Sequence, residues 1–316
     1  MMGRDGLVTA IIASLVMFAG AYFFGADPLR ETGMGICFFS PGQWGLSQLE
    51  SFLASLGLVA AISIALWLWN KKFGFVLGND TVIIGMFLVM SASNVWLSRS
   101  LTTSEIMALG NILCMIILFG CYRRQNATQE LFVIATVLAI GSMIQYAFLF
   151  MLPVYIIGAM ILKCFSFKGF LAMLVGLVAP YWIGLGFGII SPDSFRMPTL
   201  TNFFYHYTTH GDFFIVLVNV AVTFLIALLL ALNNMVKLYA GNTQRSKYNM
   251  VINLWGIVTV MCMLIDFNNL LVYVSSLYVV AAIQLGNLFA LWDINRGPIW
   301  LIALSALYVA GFMLML

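Results

Sequence analysis

The chain has 316 residues, of which 63% are hydrophobic and only 8% charged, and its mean hydropathy is +1.05. Soluble domains run near half apolar and about a quarter charged, so this composition excludes a soluble fold and implies a membrane protein. No long polar stretch interrupts the apolar ones, so residues 1–316 read as a single integral membrane domain with no soluble domain and no nucleic-acid partner.

A spanning helix needs about 20 predominantly apolar residues. The first candidate, Leu7 to Gly25, follows Arg4 and also has the outline of a signal peptide, although the residues around Gly25 and Ala26 make a poor cleavage site. The loop behind it carries Asp27, Arg30 and Glu31. Further on, Cys37 is the one cysteine outside an apolar run. The five cysteines have no CxxC and no paired spacing, so neither a metal centre nor a disulfide framework is expected.

Leu49 to Asn70, Thr81 to Leu97 and Glu105 to Tyr122 are the next three spans. Between the last two lie Asn94 and Arg99. There Thr102-Thr103-Ser104-Glu105 fits a helix capping box, which makes Glu105 a cap rather than an acid catalyst. The glycosylation sequons at Asn79 and Asn126 fall on the expected cytoplasmic side and read as chance matches.

Leu131 to Lys163 is ambiguous, because its 33 residues make roughly 50 Å of helix against about 30 Å of hydrocarbon. It reads as a broken hairpin turning near Ser142 to Gln145, with a first arm of only roughly 18 Å and a second arm kinked by Pro153. Either the tip is recessed and forms an outward-open cavity lined by Gln145 and Tyr146, or the hairpin is plainly tilted.

Phe167 to Ile190 follows, then a loop from Ser191 to Asp212 with Asp193, Arg196, His206, His210 and Asp212. The two histidines stand four residues apart, a zinc-like spacing, but the glutamate of a zinc-protease helix is missing and no metal is expected. His206 titrates near neutral pH and suits a general base. The last spans are Phe213 to Val236, Tyr248 to Ile265, Asn269 to Leu291 and Pro298 to Leu316, with Asp266, Asn268 and Asn269 at one turn. No Asp, Glu, Lys or Arg lies near the middle of a span, which counts against ion-coupled transport. Mid-span Asn219, Gln284 and Asn287 read as interhelical hydrogen-bonding residues.

Charge orients the bundle. Eleven crossings with the N-terminus cytoplasmic and the C-terminus outside put Arg4, Lys71, Lys72, Arg123, Arg124, Lys163, Lys168, Lys237, Arg245, Lys247 and Arg296 inside, and only Arg30, Arg99 and Arg196 outside. A single helix in place of the hairpin would destroy that positive-inside bias. The expected fold is therefore an all-α polytopic transmembrane bundle of about 11 spans. With Glu50 counted, the outer side carries a net −4 and the cytoplasmic side +7.

The outer arginines run against the rule that keeps basic residues inside. Arg30, Arg99 and Arg196, with Gln145 and His210, are candidate binding residues for the diphosphate of a lipid-linked saccharide, since arginine grips phosphate bidentately. The alternative is that each arginine pairs with a neighbouring acid and tethers a loop. Asp27, Glu31 and His206 are the candidate proton-handling catalytic residues. No cofactor is expected.

The run Asn111, Tyr122-Arg123-Arg124-Gln125-Asn126-Ala127-Thr128, Phe132 to Ser142, Leu152-Pro153, Lys163-Cys164-Phe165-Ser166 and Gly176-Leu177-Val178-Ala179-Pro180-Tyr181 resembles a polytopic inner-membrane family of Gram-negative bacteria with no assigned activity. The resemblance implies a bacterial inner-membrane location. More distantly, the architecture is similar to polyprenyl-phosphate-sugar glycosyltransferases and saccharide polymerases. That similarity implies a catalytic acid in the first loop, where Asp27 and Glu31 stand, and outer-loop arginines, where Arg30 and Arg196 stand. Three functions follow as expectations: a subunit of an envelope-assembly complex, partnered by membrane lipids and other envelope membrane proteins; an outer-face transferase or polymerase of lipid-linked saccharide; and a lipid flippase or carrier.

Overall fold

The computed structural model describes residues 4–25, 35–76, 80–124, 126–195, 211–239, 243–291 and 297–316. Within them the chain is helical: α1 (Arg4–Phe24), α2 (Gln48–Phe73), α3 (Asp80–Ser93), α4 (Val95–Arg99), α5 (Thr103–Gly120), α6 (Thr128–Ile144), α7 (Ala147–Phe150), α8 (Leu152–Ile161), α9 (Phe167–Gly186), α10 (Gly211–Tyr239), α11 (Thr243–Ile265), α12 (Leu270–Leu291) and α13 (Gly297–Met315). Seven of these, α1, α2, α5, α9, α10, α11 and α12, are long and apolar enough to cross a membrane. Helices suit that setting because every backbone donor and acceptor is satisfied within the segment.

Local chemistry sets the boundaries. Ser47 starts α2 with a complete capping box: its hydroxyl accepts from the Glu50 backbone N–H at 3.3 Å, and the Glu50 carboxylate accepts from the Ser47 N–H at 2.9 Å. The helix runs to Lys71 and Lys72, which complement its C-terminal dipole, and stops at Gly74 in the left-handed conformation. The box expected at Thr102 to Glu105 is different. Thr102 makes no side-chain cap bond, and Glu105 instead accepts from the Ser55 hydroxyl of α2 at 2.6 Å. A partner on a neighbouring helix outcompetes the local one because the carboxylate is almost wholly buried.

Two expected spans are broken. Thr81 to Leu97 divides at Asn94 into α3 and α4, and the 131–163 stretch divides at Gln145, whose extended backbone separates α6 from α7. The first arm is longer than expected, since α6 has 17 residues and so about 26 Å. The second arm is interrupted at Met151, which separates α7 from α8, and Pro153 sits in the first turn of α8, where its missing N–H would have had no helical partner.

Neighbour contacts show how the hairpin is used. Gly169 faces Leu131, Gly176 faces Phe132 and Ala135, and the Tyr181 hydroxyl bonds the Ser142 hydroxyl at 2.6 Å. Positions therefore increase together along α6 and α9, so the two helices run parallel and residues 145–166 must return the full length between them. Gly176 makes this contact possible, because a Cβ there would lie 2.5 Å from the Phe132 carbonyl oxygen. Small residues of this kind let helix backbones approach within a membrane.

The apolar residues of α12 form the centre of the core, packed against α3, α5, α10 and α11. Around the outside, α9 exposes Val175, Val178, Trp182 and Ile183, and Phe187 just after it is exposed too. A soluble monomer does not present so continuous an apolar surface, whereas hydrocarbon accepts it.

Candidate functional site

The helix ends sort the charges. At one end Arg245 donates to the Gly74 carbonyl at 3.0 Å, the Tyr248 hydroxyl donates to the Phe119 carbonyl at 3.2 Å, and the Arg123 N–H donates to the Leu162 carbonyl at 3.0 Å. These contacts gather the loops carrying Lys71, Lys72, Arg123, Arg124, Lys163, Arg245 and Lys247, together with the acids Asp80 and Glu130. The opposite end holds Glu50, Glu105, Asp193 and Asp266, and Arg99 is its cation among the described residues.

Of the residues singled out from the sequence, Arg99 and Gln145 lie within the described structure. Asp27, Arg30, Glu31, Arg196, His206 and His210 lie outside the described residues, so the pairings expected for Arg30 and Arg196 are not described, although Asp193 itself is described and exposed. Arg99 donates to the carbonyl of Gly25, the residue just after α1. On the far flank of the same loop, Ile36 N–H donates to the Ser142 carbonyl at 3.1 Å, and Cys37 and Phe38 donate to Met143 at 3.2 and 2.8 Å. Gly35 is needed for this docking, since a Cβ there would meet the Met143 carbonyl oxygen at 2.1 Å. Thus Arg99 fastens one flank of the 26–34 segment, and the end of α6, two residues before Gln145, fastens the other. Gln145 itself is fully buried, and neither its Oε1 nor its Nε2 has a hydrogen-bond partner.

Next to Gln145 is a cluster of which the sequence named Asp266 and Asn269 at the outer end and Tyr146 at the hairpin tip, but not Tyr273. The Tyr146 hydroxyl lies 2.8 Å from both carboxylate oxygens of Asp266. Tyr273 donates to Asp266 Oδ2 at 3.1 Å, and Asn269 Nδ2 donates to Oδ1 at 2.9 Å and to the Tyr146 hydroxyl at 2.5 Å. All four side chains are buried. The carboxylate is held by neutral dipoles, an arrangement that makes a buried charge tolerable when its lone pairs are filled. It joins the break after α6 to the turn between α11 and α12. Asp266, Asn269 and Tyr273 stand at intervals of three and four, which put them on one side of the turn into α12. That spacing was the available signal; the pairing with Tyr146, 120 residues away in sequence, had none.

Chemically, the cluster offers a carboxylate relayed through two phenols, beside an amide with unused donors and an unused acceptor. It suits hydrogen-bonding recognition of a hydroxyl-bearing group. Among the described residues no group of three or more His, Cys, Asp or Glu side chains gathers in a form that would hold a metal ion. Outside the spanning helices, burial pushes the Cys37 thiol above its ordinary pKa.

Comparison with protein-family models, with curated proteins and with solved structures finds no match to this chain.

Proposed function

We propose that this chain is a multi-pass protein of the bacterial inner membrane that serves cell-envelope assembly as the membrane subunit of a complex. In this reading it crosses eleven times, with α3 and α4 making one crossing and α7 and α8 another. The N-terminus and the basic end lie in the cytoplasm, and the acidic end and C-terminus lie outside. Support comes from the separation of basic from acidic loops and from the parallel course of α6 and α9, which requires a returning segment. A reporter fused after Gly241 is expected to read cytoplasmic and one after Thr201 to read outside; the reverse would invert the assignment.

One observation carries the subunit reading. At the acidic end three of the described ionisable side chains brace the bundle: Arg99 holds Gly25, Glu105 receives Ser55, and Asp266 receives Tyr146 and Tyr273. With its side chains engaged in this way, that end serves as a shaped docking face for envelope partners. Mild detergent extraction followed by native mass spectrometry is expected to retain a partner at fixed stoichiometry. A clean monomer would overturn the reading.

The unpartnered buried amide of Gln145 beside the Asp266 cluster favours a second reading, an outer-face transferase or polymerase of lipid-linked saccharide. Here Arg30, Arg99 and Arg196 hold phosphate while Asp27, Glu31 or His206 handles the proton. Lipids copurifying in nanodiscs discriminate the two. A polyprenyl-phosphate species enriched by the wild type and absent from an Arg30→Ala, Arg99→Ala, Arg196→Ala variant supports the transferase, and bulk lipid in both samples removes it.

A further inference from the structure

Toward the basic end, α10, α11 and α12 converge on five buried carboxamides, Asn234, Asn249, Asn253, Gln284 and Asn287. Gln284 is the hub. Its Nε2 donates to Asn249 Oδ1 at 2.9 Å and to Asn253 Oδ1 at 2.6 Å, and its Oε1 accepts from Asn234 Nδ2 at 2.8 Å. The second proton of Asn234 Nδ2 goes to the Gln284 backbone carbonyl at 3.0 Å, and Asn287 Nδ2 reaches Asn249 Oδ1 at 3.4 Å.

A carboxamide has two N–H donors and a carbonyl acceptor, and this network leaves two of those groups over. Asn234 Oδ1 and Asn253 Nδ2 are buried without a partner. One is an acceptor and the other a donor, and they flank the same Gln284 side chain. One turn further along α11 the packing is apolar and close, because a Cβ at Gly256 would lie 2.9 Å from Val280 Cγ1. Buried polar groups are rarely left unpaired without a ligand, a water or a functional cause.

We propose that the Gln284 cluster is a binding site for a small neutral molecule carrying both a hydrogen-bond donor and an acceptor, the chemistry of a primary carboxamide. Charged ligands fit poorly. A cation needs several converging oxygens, yet the carbonyl oxygens of Asn249, Asn253 and Gln284 already accept N–H groups. An anion needs several donors, and the unused N–H of Asn253 is accompanied by the unused carbonyl of Asn234, which repels negative charge. The site goes beyond the docking role proposed for the acidic end and lies toward the other end of the bundle.

The test uses the full chain in nanodiscs and three isosteric probes, acetamide, acetate and acetamidinium, read by saturation-transfer-difference NMR. Acetamide alone is expected to give a signal above empty nanodiscs. Asn253→Leu, which removes the unused donor, is expected to weaken it by about fivefold, the equivalent of one neutral hydrogen bond. Should that variant fail to fold, Asn234→Leu, which removes the unused acceptor, is expected to give the same loss. No acetamide signal, an equal signal from either charged probe, or full retention in a folded variant would overturn the proposal.

Discussion

The two ends of the bundle use ionisable residues in opposite ways. At the basic end Lys71, Lys72, Arg123, Arg124, Lys163 and Lys168 are exposed, and the one described ion pair there, Arg124 to Glu130 at 2.8 Å, has a largely solvated arginine. At the acidic end Glu105 and Asp266 are each 3% exposed, and Arg99 is half-buried with its guanidinium on a backbone carbonyl. Exposed cations cost the fold little and set orientation through the membrane. Buried charges must be surrounded by donors or acceptors, so they dictate which helix ends meet. Arg245, which holds the Gly74 carbonyl at the basic end, and Glu50 and Asp193, which are exposed at the acidic end, depart from this pattern. The exposed cations thus act as an address, and the buried Glu105 and Asp266 as joints.

The sharpest way to break this contrast is chemical labelling. A membrane-impermeant maleimide on intact cells is expected to modify Cys37, at the acidic end, and to spare the buried thiols Cys121 and Cys164 at the basic end. Because burial raises the Cys37 pKa from 9.0 and the thiolate is the reacting form, the rate should climb about tenfold per pH unit from pH 7 toward pH 9. A rate independent of pH, or labelling of the other two thiols first, would undo both the sidedness and the burial argument.

Stability effects should follow the same order. Asp266→Ala leaves the hydroxyls of Tyr146 and Tyr273 and the amide of Asn269 without their acceptor, and is expected to cost about 3 kcal/mol, read as loss of folded protein on thermal challenge in detergent. Arg99→Ala removes a half-buried charge-assisted bond and is expected to cost about 1 kcal/mol, with faster amide exchange around Gly25. Arg124→Ala, which breaks the solvated pair with Glu130, should change stability by no more than about 0.5 kcal/mol. If Arg124→Ala proved as costly as Asp266→Ala, the distinction between address and joint would fail.

Much of the architecture was legible because apolar length is a direct physical requirement of the bilayer. The 131–163 stretch was too long for one span, and the break falls at Gln145, within the expected turn. The division of Thr81 to Leu97 at Asn94 was not legible, since a lone Asn in an apolar run is compatible with an unbroken helix. Capping illustrates the limit of local motifs. Ser47 to Glu50 and Thr102 to Glu105 share one pattern, but only the first forms a complete box, because Glu105 meets Ser55 from another helix. For the candidate site, Gln145 and Arg99 were found by depth and charge. Tyr146 was found only as a residue of the hairpin tip, and Tyr273 was not found, because the contact that joins them is made across the fold with Asp266.

The parallel course of α6 and α9 has a consequence for biogenesis. Two parallel helices cannot pair as a nascent hairpin when the first of them leaves the ribosome. Glycine-mediated contact at Gly176 must wait until the segment returning through α7 and α8 has been threaded and α9 has been synthesised. During that interval the face of α6 destined for α9 is covered by lipid or by an insertion chaperone. Slowing translation just after α9 would lengthen the time available for this late pairing, whereas slowing it just before would prolong the exposed state.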